Sequence, residues 1–297
     1  MGYKLLLILE KILMKLPRSF RKSFFSLLAK VAYHISGKYR NIARTNLKFI
    51  FEDKLSDIEI EEIVKYSFKN LIFNFLHVME LRNMSLEQLE KIITVQNREA
   101  VEKVHKEGRA VIYVTTHYSS WEFGGASLGA FVEPVGAVYK KMKNRVYEDW
   151  LLEGRARFGN TNLEKTNVVK PLIKLLKAKK ASGILIDTNI NSREGVIINF
   201  MGKPLRQTSS PAYLARKFNA AIVPVSIRTD DEMHYTLTVH NEIPVEKTDD
   251  EKQDILNATQ LQADWLSSII QKEPKFWFWL HRRFKGDKPE IYKKETL

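Results

Sequence analysis

Over the first eighty or so positions, apolar residues recur every three or four places, as at Ile58, Ile60, Ile63, Val64, Phe68, Leu71, Ile72 and Phe75. That period places them on one face of a helix. It predicts helical structure from residue 3 to about 82, with Asp57 capping the helix that follows it. From Arg109 the texture changes. Strand-like runs fall at 109–116, 134–138, 183–187, 195–200, 221–228 and 234–240, between helical patterns at 120–131, 145–158, 168–180 and 210–218 and before a last one at 250–272. Alternation of this kind predicts an α/β fold, a mostly parallel sheet flanked by helices. Residues 1–82 then form an N-terminal helical region and 83–297 an α/β domain, joined as one structural unit.

The first of those helices has an unusual pattern. Between Tyr3 and Leu16, Lys4, Lys11 and Lys15 share one face and leucines and isoleucines cover the rest, until Pro17 ends the run. Residues 18–30 repeat the theme. A basic amphipathic helix of this type suits the interface of a bilayer, so the N-terminal layer is expected to be membrane-associating; the alternative is two ordinary surface helices on a core. No segment reaches the ~18–20 uninterrupted apolar residues of a membrane span. Glu10 and Lys11 also interrupt the apolar stretch that a signal peptide needs.

Charge narrows the range of partners. Lys plus Arg outnumber Asp plus Glu by 48 to 35, a formal net charge of +13. Such an excess calls for an acidic counterpart: nucleic acid, anionic lipid or a phosphorylated substrate. The chain has no cysteine, which excludes disulfides, thiolate metal sites and a cysteine nucleophile. The histidines at 34, 77, 105, 234 and 240 lack metal-ligand spacing, and no metal is expected. With 44% of its residues hydrophobic, the chain can bury a sizeable core.

The chemistry concentrates in Val111-Ile-Tyr-Val-Thr-Thr-His117-Tyr-Ser-Ser-Trp-Glu122-Phe-Gly-Gly125. A β-branched apolar run stops abruptly at a histidine. The pattern predicts a buried strand that delivers His117 to its C-terminal end, where α/β sheets place ligands, and a turn in which Ser119 or Ser120 caps the next helix. Glu122 falls in that helix's first turn. Five residues apart on one helix, His and Glu would not face each other; across a strand-to-helix turn they can. A carboxylate on one ring nitrogen fixes the tautomer and raises the basicity of the other, which is what a general base needs. The alternative is an ordinary hydrogen-bonded pair. A serine hydrolase is excluded, because Ser119 and Ser120 are too near His117 in the chain and no nucleophile-elbow motif is present.

The spacing His117-x4-Glu122 resembles the H-x4-D/E signature of glycerolipid-type acyltransferases. Other segments, in order, resemble the bacterial lipid A late acyltransferases: Tyr139 with the basic stretch to Asn144, then Arg155-Ala-Arg157-Phe-Gly159; Gly183-Ile-Leu-Ile-Asp187; and Val196 to Gly202 with Thr208, Pro211 to Ala215 and Ala220 to Pro224. Trp277-Phe-Trp279-Leu-His281-Arg-Arg283-Phe-Lys285 resembles the same family's ending. The resemblance implies a glycerolipid acyltransferase-like fold and direct acyl transfer, without an acyl-enzyme and without a cofactor. The donor would be an acyl carrier protein thioester, and the acceptor a hydroxyl on a 3-hydroxyacyl chain of a Kdo-bearing lipid A precursor. It implies His117 as base, Glu122 as its helper, and Arg157 and Asp187 as further site residues. Asp187 could otherwise be a turn residue, and Arg157 a helix C-terminal cation. Thr208 lies in a matched block and could contact substrate or cap the helix at Pro211. Lys140 and Lys141, in a basic cluster after His117, could hold acceptor phosphates or the acidic carrier protein, or be a solvated charge run. The expected location is the cytoplasmic face of an inner membrane, peripheral or N-terminally anchored, with no nucleic acid as partner. Acylation of another glycolipid, such as a mannosylated phosphoinositide, and a non-catalytic basic membrane-binding protein are the competing readings.

Overall fold

The computed structural model describes residues 2–191 and 194–296, and residues 2–83 are mostly helical, as the spacing predicts. Helices α1 (Gly2–Met14), α2 (Arg18–Ile35) and α3 (Gly37–Phe51) lead into the long α4 (Asp57–Asn83). Pro17 stands between the first two and supplies no N–H to continue α1. The cap of α4 is Ser56 rather than Asp57: its hydroxyl accepts from the Glu59 N–H, and the Glu59 carboxylate accepts from the Ser56 N–H, satisfying two orphan donors reciprocally. Then come α5 (Leu86–Glu90), β1 (Ile93–Gln96) and α6 (Glu99–Lys106).

The α/β part continues through β2 (Val111–Thr115), α7 (Trp121–Phe131), β3 (Val135–Tyr139), α8 (Arg145–Ala156), β4 (Thr161–Glu164), α9 (Val169–Lys177) and β5 (Ala181–Leu185). It closes with β6 (Val196–Phe200), β7 (Lys203–Gln207), α10 (Ser210–Phe218), β8 (Ala221–Arg228), β9 (Tyr235–Val239) and α11 (Glu251–Lys272). Among the described residues, seven strands form one sheet in the order β1-β9-β8-β2-β5-β3-β4. Every neighbouring pair is parallel except β8 with β9. The run 195–200 is a strand, as expected, but it lies outside this sheet: β6 pairs antiparallel with β7 and packs on α11.

β2 is central and covered on both sides, which is why it reads as an unbroken apolar run. Ile112 and Val114 enter one core, with residues of α3, α4, α9, α10 and α11. Val111 and Tyr113 enter the other, with Phe123 and Ala126 of α7.

The helices α1 and α2 are fastened to this body by charge. Glu10, 4% exposed, accepts from Arg82 Nε (3.0 Å), Asn83 Nδ2 (2.6 Å) and Trp150 Nε1 (2.7 Å). Glu80 holds Arg18 and Arg21 of α2. With its carboxylate turned inward, α1 turns an apolar stripe outward: Leu5, Ile8, Leu9 and Ile12 are 67%, 54%, 40% and 55% exposed. Phe20, Leu27, Val31 and Ile35 do the same on α2. No helix among the described residues is long and apolar enough to cross a membrane.

Candidate active site

Two adjacent parallel strands build the centre. β2 and β5 are paired with Thr115 opposite Leu185, and the Ile186 N–H continues the ladder to the Thr115 carbonyl at 3.0 Å. Two steps past each strand end, His117 and Asp187 therefore stand side by side. His117 Nδ1 lies 3.0 Å from Asp187 Oδ1. The other carboxylate oxygen accepts from the His117 N–H (2.8 Å), Thr116 Oγ1 (2.7 Å) and Trp277 Nε1 (3.0 Å). Asp187 is 4% exposed, while a quarter of the His117 side chain (26%) remains open. In the neutral ring, the carboxylate acceptor puts the proton on Nδ1 and leaves Nε2 its lone pair.

The two groups perturb each other in the way a buried ion pair must. Burial works against an imidazolium at His117, but the Asp187 charge and hydrogen bond outweigh it, and the ring's pKa is raised. Burial likewise favours a neutral Asp187; the His117 charge, with the hydrogen bonds from His117 and Thr116, overcomes that and holds the carboxyl well below its usual range.

The carboxylate expected on His117 was Glu122, and here the structure corrects the sequence. Glu122 does lie in the first turn of α7, but its oxygens accept from Arg155 Nε (2.9 Å), Arg155 Nη2 (2.6 Å) and Trp121 Nε1 (3.1 Å). The helix aims it at α8, not back at the ring. Neither Ser119 nor Ser120 caps α7 through its side chain; Asn74 of α4 does so instead, accepting from the Glu122 N–H at 3.1 Å. Ser119 is bent into a positive φ of 50°, and this tight turn swings the chain from β2 into the helix.

Arg157 is likewise displaced from its expected place. It forms the C-cap of α8, is exposed, and borders a surface recess with Met84 and Leu86. The arginine that lines the cavity beside His117 is Arg155, two positions earlier, whose forked face grips Glu122. Lys140 and Lys141 are exposed in the segment after β3, and the Lys141 amine stands 4.0 Å from Glu164. Thr208 is half-buried; its hydroxyl accepts from the Ser210 N–H at 3.4 Å, a turn contact at the start of α10. Among the described residues no three of His, Asp or Glu stand close enough together to hold a metal ion.

A largely apolar cavity opens beside the pair, between α7 and the sheet face that carries Tyr113 and Thr115. The neighbours of His117 (Thr116, Tyr118 and Trp121) line one part of it, Glu122 and Arg155 another. Leu128 and Val135, toward the far end of α7 and the start of β3, line the rest with Gly125 and Gly183. Small residues on both walls leave the space; at Gly125 an added Cβ would meet no atom within 4 Å. A hydrocarbon-lined slot next to an imidazole, with a half-buried cation on its wall, has the shape to receive an apolar tail and the chemistry to deprotonate a hydroxyl at its head.

Comparison with known proteins agrees in kind. The sequence model of a family described as bacterial lipid A biosynthesis acyltransferase matches residues 2–286. The lipid A biosynthesis palmitoleoyltransferase of Escherichia coli is 24% identical over 251 residues, 82% of this chain and 78% of that one. The lipid A biosynthesis lauroyltransferase of the same organism is 25% identical over 265 residues, 87% of this chain and 83% of its own. A phosphatidylinositol mannoside acyltransferase of Mycolicibacterium smegmatis is 24% identical over 183 residues, 61% and 58% of the two chains.

Proposed function

This chain belongs to the bacterial lipid A biosynthesis acyltransferase family, and from that premise we propose that it moves a fatty acyl chain from an acyl carrier protein thioester to a hydroxyl on a 3-hydroxyacyl chain of a Kdo-bearing lipid A precursor. The observation that carries the reading is the His117–Asp187 pair next to an apolar cavity that Thr116, Tyr118 and Trp121 line. The acyl tail fills the cavity and brings its thioester carbonyl to the open end. His117 Nε2 takes the proton of the acceptor hydroxyl as its oxygen attacks that carbonyl. The C–S bond of the tetrahedral intermediate then breaks, and the imidazolium returns the proton to the departing thiolate. Asp187 holds the ring in the productive tautomer and steadies its positive charge. Arg155, fixed bidentate on Glu122, places a permanent cation near the developing oxyanion. No cofactor enters the scheme.

The same reading places the protein on the cytoplasmic face of the inner membrane, resting on the bilayer through the outward stripes of α1 and α2. Lys4, Lys11 and Lys15 beside the first stripe suit anionic headgroups. Lys140 and Lys141, exposed after β3, suit the acidic surface of the carrier protein.

The test is transfer by the purified protein from acyl carrier protein thioester to a Kdo-bearing lipid A precursor, read by mass spectrometry. The expected product carries one more ester-linked chain, and His117→Ala lowers turnover roughly 10²–10⁴-fold with an unchanged circular dichroism spectrum. Full activity in His117→Ala would overturn the mechanism; failure to acylate this acceptor while acylating another glycolipid would overturn the substrate.

A further inference from the structure

We infer that the C-terminal segment around Trp277 is a strap that sets the basicity and aim of the His117–Asp187 pair, with Trp277 as its positioning residue. The inference rests on reading His117 as the base. Residues 276–278 lie antiparallel against the turn after β2: Ser119 N–H donates to the Phe276 carbonyl (2.8 Å), Phe278 N–H donates to the His117 carbonyl (3.0 Å), and Tyr118 bridges to Trp277. The turn that carries the base, bent at Ser119, is thus held by a segment 160 or so residues away in sequence.

Trp277 does more than fill space. Its indole is 2% exposed, and its N–H is shared between Asp187 Oδ2 (3.0 Å) and Thr116 Oγ1 (3.1 Å). With Thr116 and the His117 N–H it saturates that oxygen, so the other, Oδ1, is left to face the ring. Donors on a carboxylate draw off its negative charge and fix its rotamer. Phe278 packs on the ring itself, its centroid 6.0 Å from that of His117. The strap is in turn anchored from α3 and α4: Asn46 Nδ2 donates to the carbonyls of Trp279 and His281 (2.8 Å each), and Asn70 Nδ2 to that of Phe276 (3.2 Å). Packing alone would be served by any large ring at 277, given its contacts with Phe200 and Trp279 at centroid distances of 5.9 and 4.6 Å. The N–H is the part that speaks to the site.

Trp277→Phe removes the donor and keeps an aromatic ring. Asp187 then loses one of three donors on Oδ2, presents a stronger negative field to the ring, and is held less firmly in its rotamer. The expected result is a roughly tenfold lower kcat, an unchanged KM for the acyl donor, and an acidic limb of the pH–rate profile moved to higher pH. Trp279→Phe is the control: Trp279 is equally buried, but its N–H goes to the Pro274 carbonyl (2.7 Å), away from the pair. It should lower activity only in proportion to any loss of folded protein, with no movement of the pH profile. Benzothienylalanine at 277, which keeps the shape of tryptophan without the N–H, serves if the phenylalanine variant folds poorly. A 277 variant whose profile and kcat match those of Trp279→Phe would overturn the strap while leaving the base in place. An active His117→Ala, run alongside, would overturn both.

Discussion

At the scale of single residues, the pair at the site predicts its own pH behaviour. Removing the Asp187 charge leaves burial as the main influence on His117, and burial lowers a histidine pKa. Asp187→Asn should therefore move the acidic limb of the rate profile to lower pH, the opposite direction to Trp277→Phe, and cut kcat by roughly 10²-fold or more. The same substitution should affect stability in a defined window. The raised His117 pKa contributes stability that is full below the unfolded value and lost as pH rises through the folded one; the depressed Asp187 pKa contributes stability that is full above its unfolded value and lost as pH falls. The deficit of Asp187→Asn in thermal unfolding should then be widest between about pH 4 and 6.5. His117 was legible in the sequence because the strand, the abrupt polar residue and the turn are all local. Asp187 was legible only as a site residue that the resemblance implied; that it partners His117 was not, because it arrives from a strand 70 residues away and only the β2–β5 register brings it alongside. Arg155 was passed over for Arg157 for a related reason: both close α8, and which of the two meets Glu122 depends on how α8 rotates against α7.

At the scale of elements, α7 shows how a helix makes room. Trp121, Glu122, Gly125 and Leu128 recur at helical spacing and all line the cavity. A Cβ at Gly125 would meet no atom within 4 Å, and Gly in a helix interior is worth roughly 0.5–1 kcal/mol less than Ala. Gly125→Leu should thus fold at least as stably as the parent. Its side chain would occupy the space that the acyl tail needs, so the ratio of turnover on long-chain to short-chain donors should fall several-fold; an unchanged ratio in competition between two donor lengths would remove the cavity from the acyl-binding role. The long helices and the apolar strands β2, β3, β5, β8 and β9 were readable from period and length. α5, β1, α6, β4 and β7 were not, since four or five half-polar residues show no period, and α6 is only two turns long. The run 195–200 was readable as a strand but not as one that leaves the main sheet, since pairing is not written in a single segment.

At the scale of the whole molecule, the N-terminal face makes the third kind of prediction. α1 packs Leu6, Leu7 and Leu13 inward with Glu10 and still turns four apolar side chains outward in one stripe, where a surface helix usually has polar residues. Replacing Ile8 and Ile12 by Ser should weaken binding to phosphatidylglycerol vesicles at least tenfold while sparing turnover on detergent-dispersed acceptor; equal vesicle binding by the variant would remove this face from membrane contact. Glu10→Ala is the contrasting change, because it leaves Arg82 without its buried partner. It should cost about 3 kcal/mol of stability, seen as a lower melting temperature without direct loss of apolar surface.

By itself the sequence determined that the chain is helical first and α/β afterwards, that a histidine ends a buried strand, and that five ordered blocks resemble one acyltransferase family. These are properties of short windows, where period, β-branching and spacing act on neighbours a few residues apart. Only the tertiary structure decided which carboxylate orients the imidazole, which arginine joins the site, what caps α7, and which face of α1 looks outward. Each depends on strand register or helix rotation, set by packing among segments tens to hundreds of residues apart, and no local pattern encodes that sum.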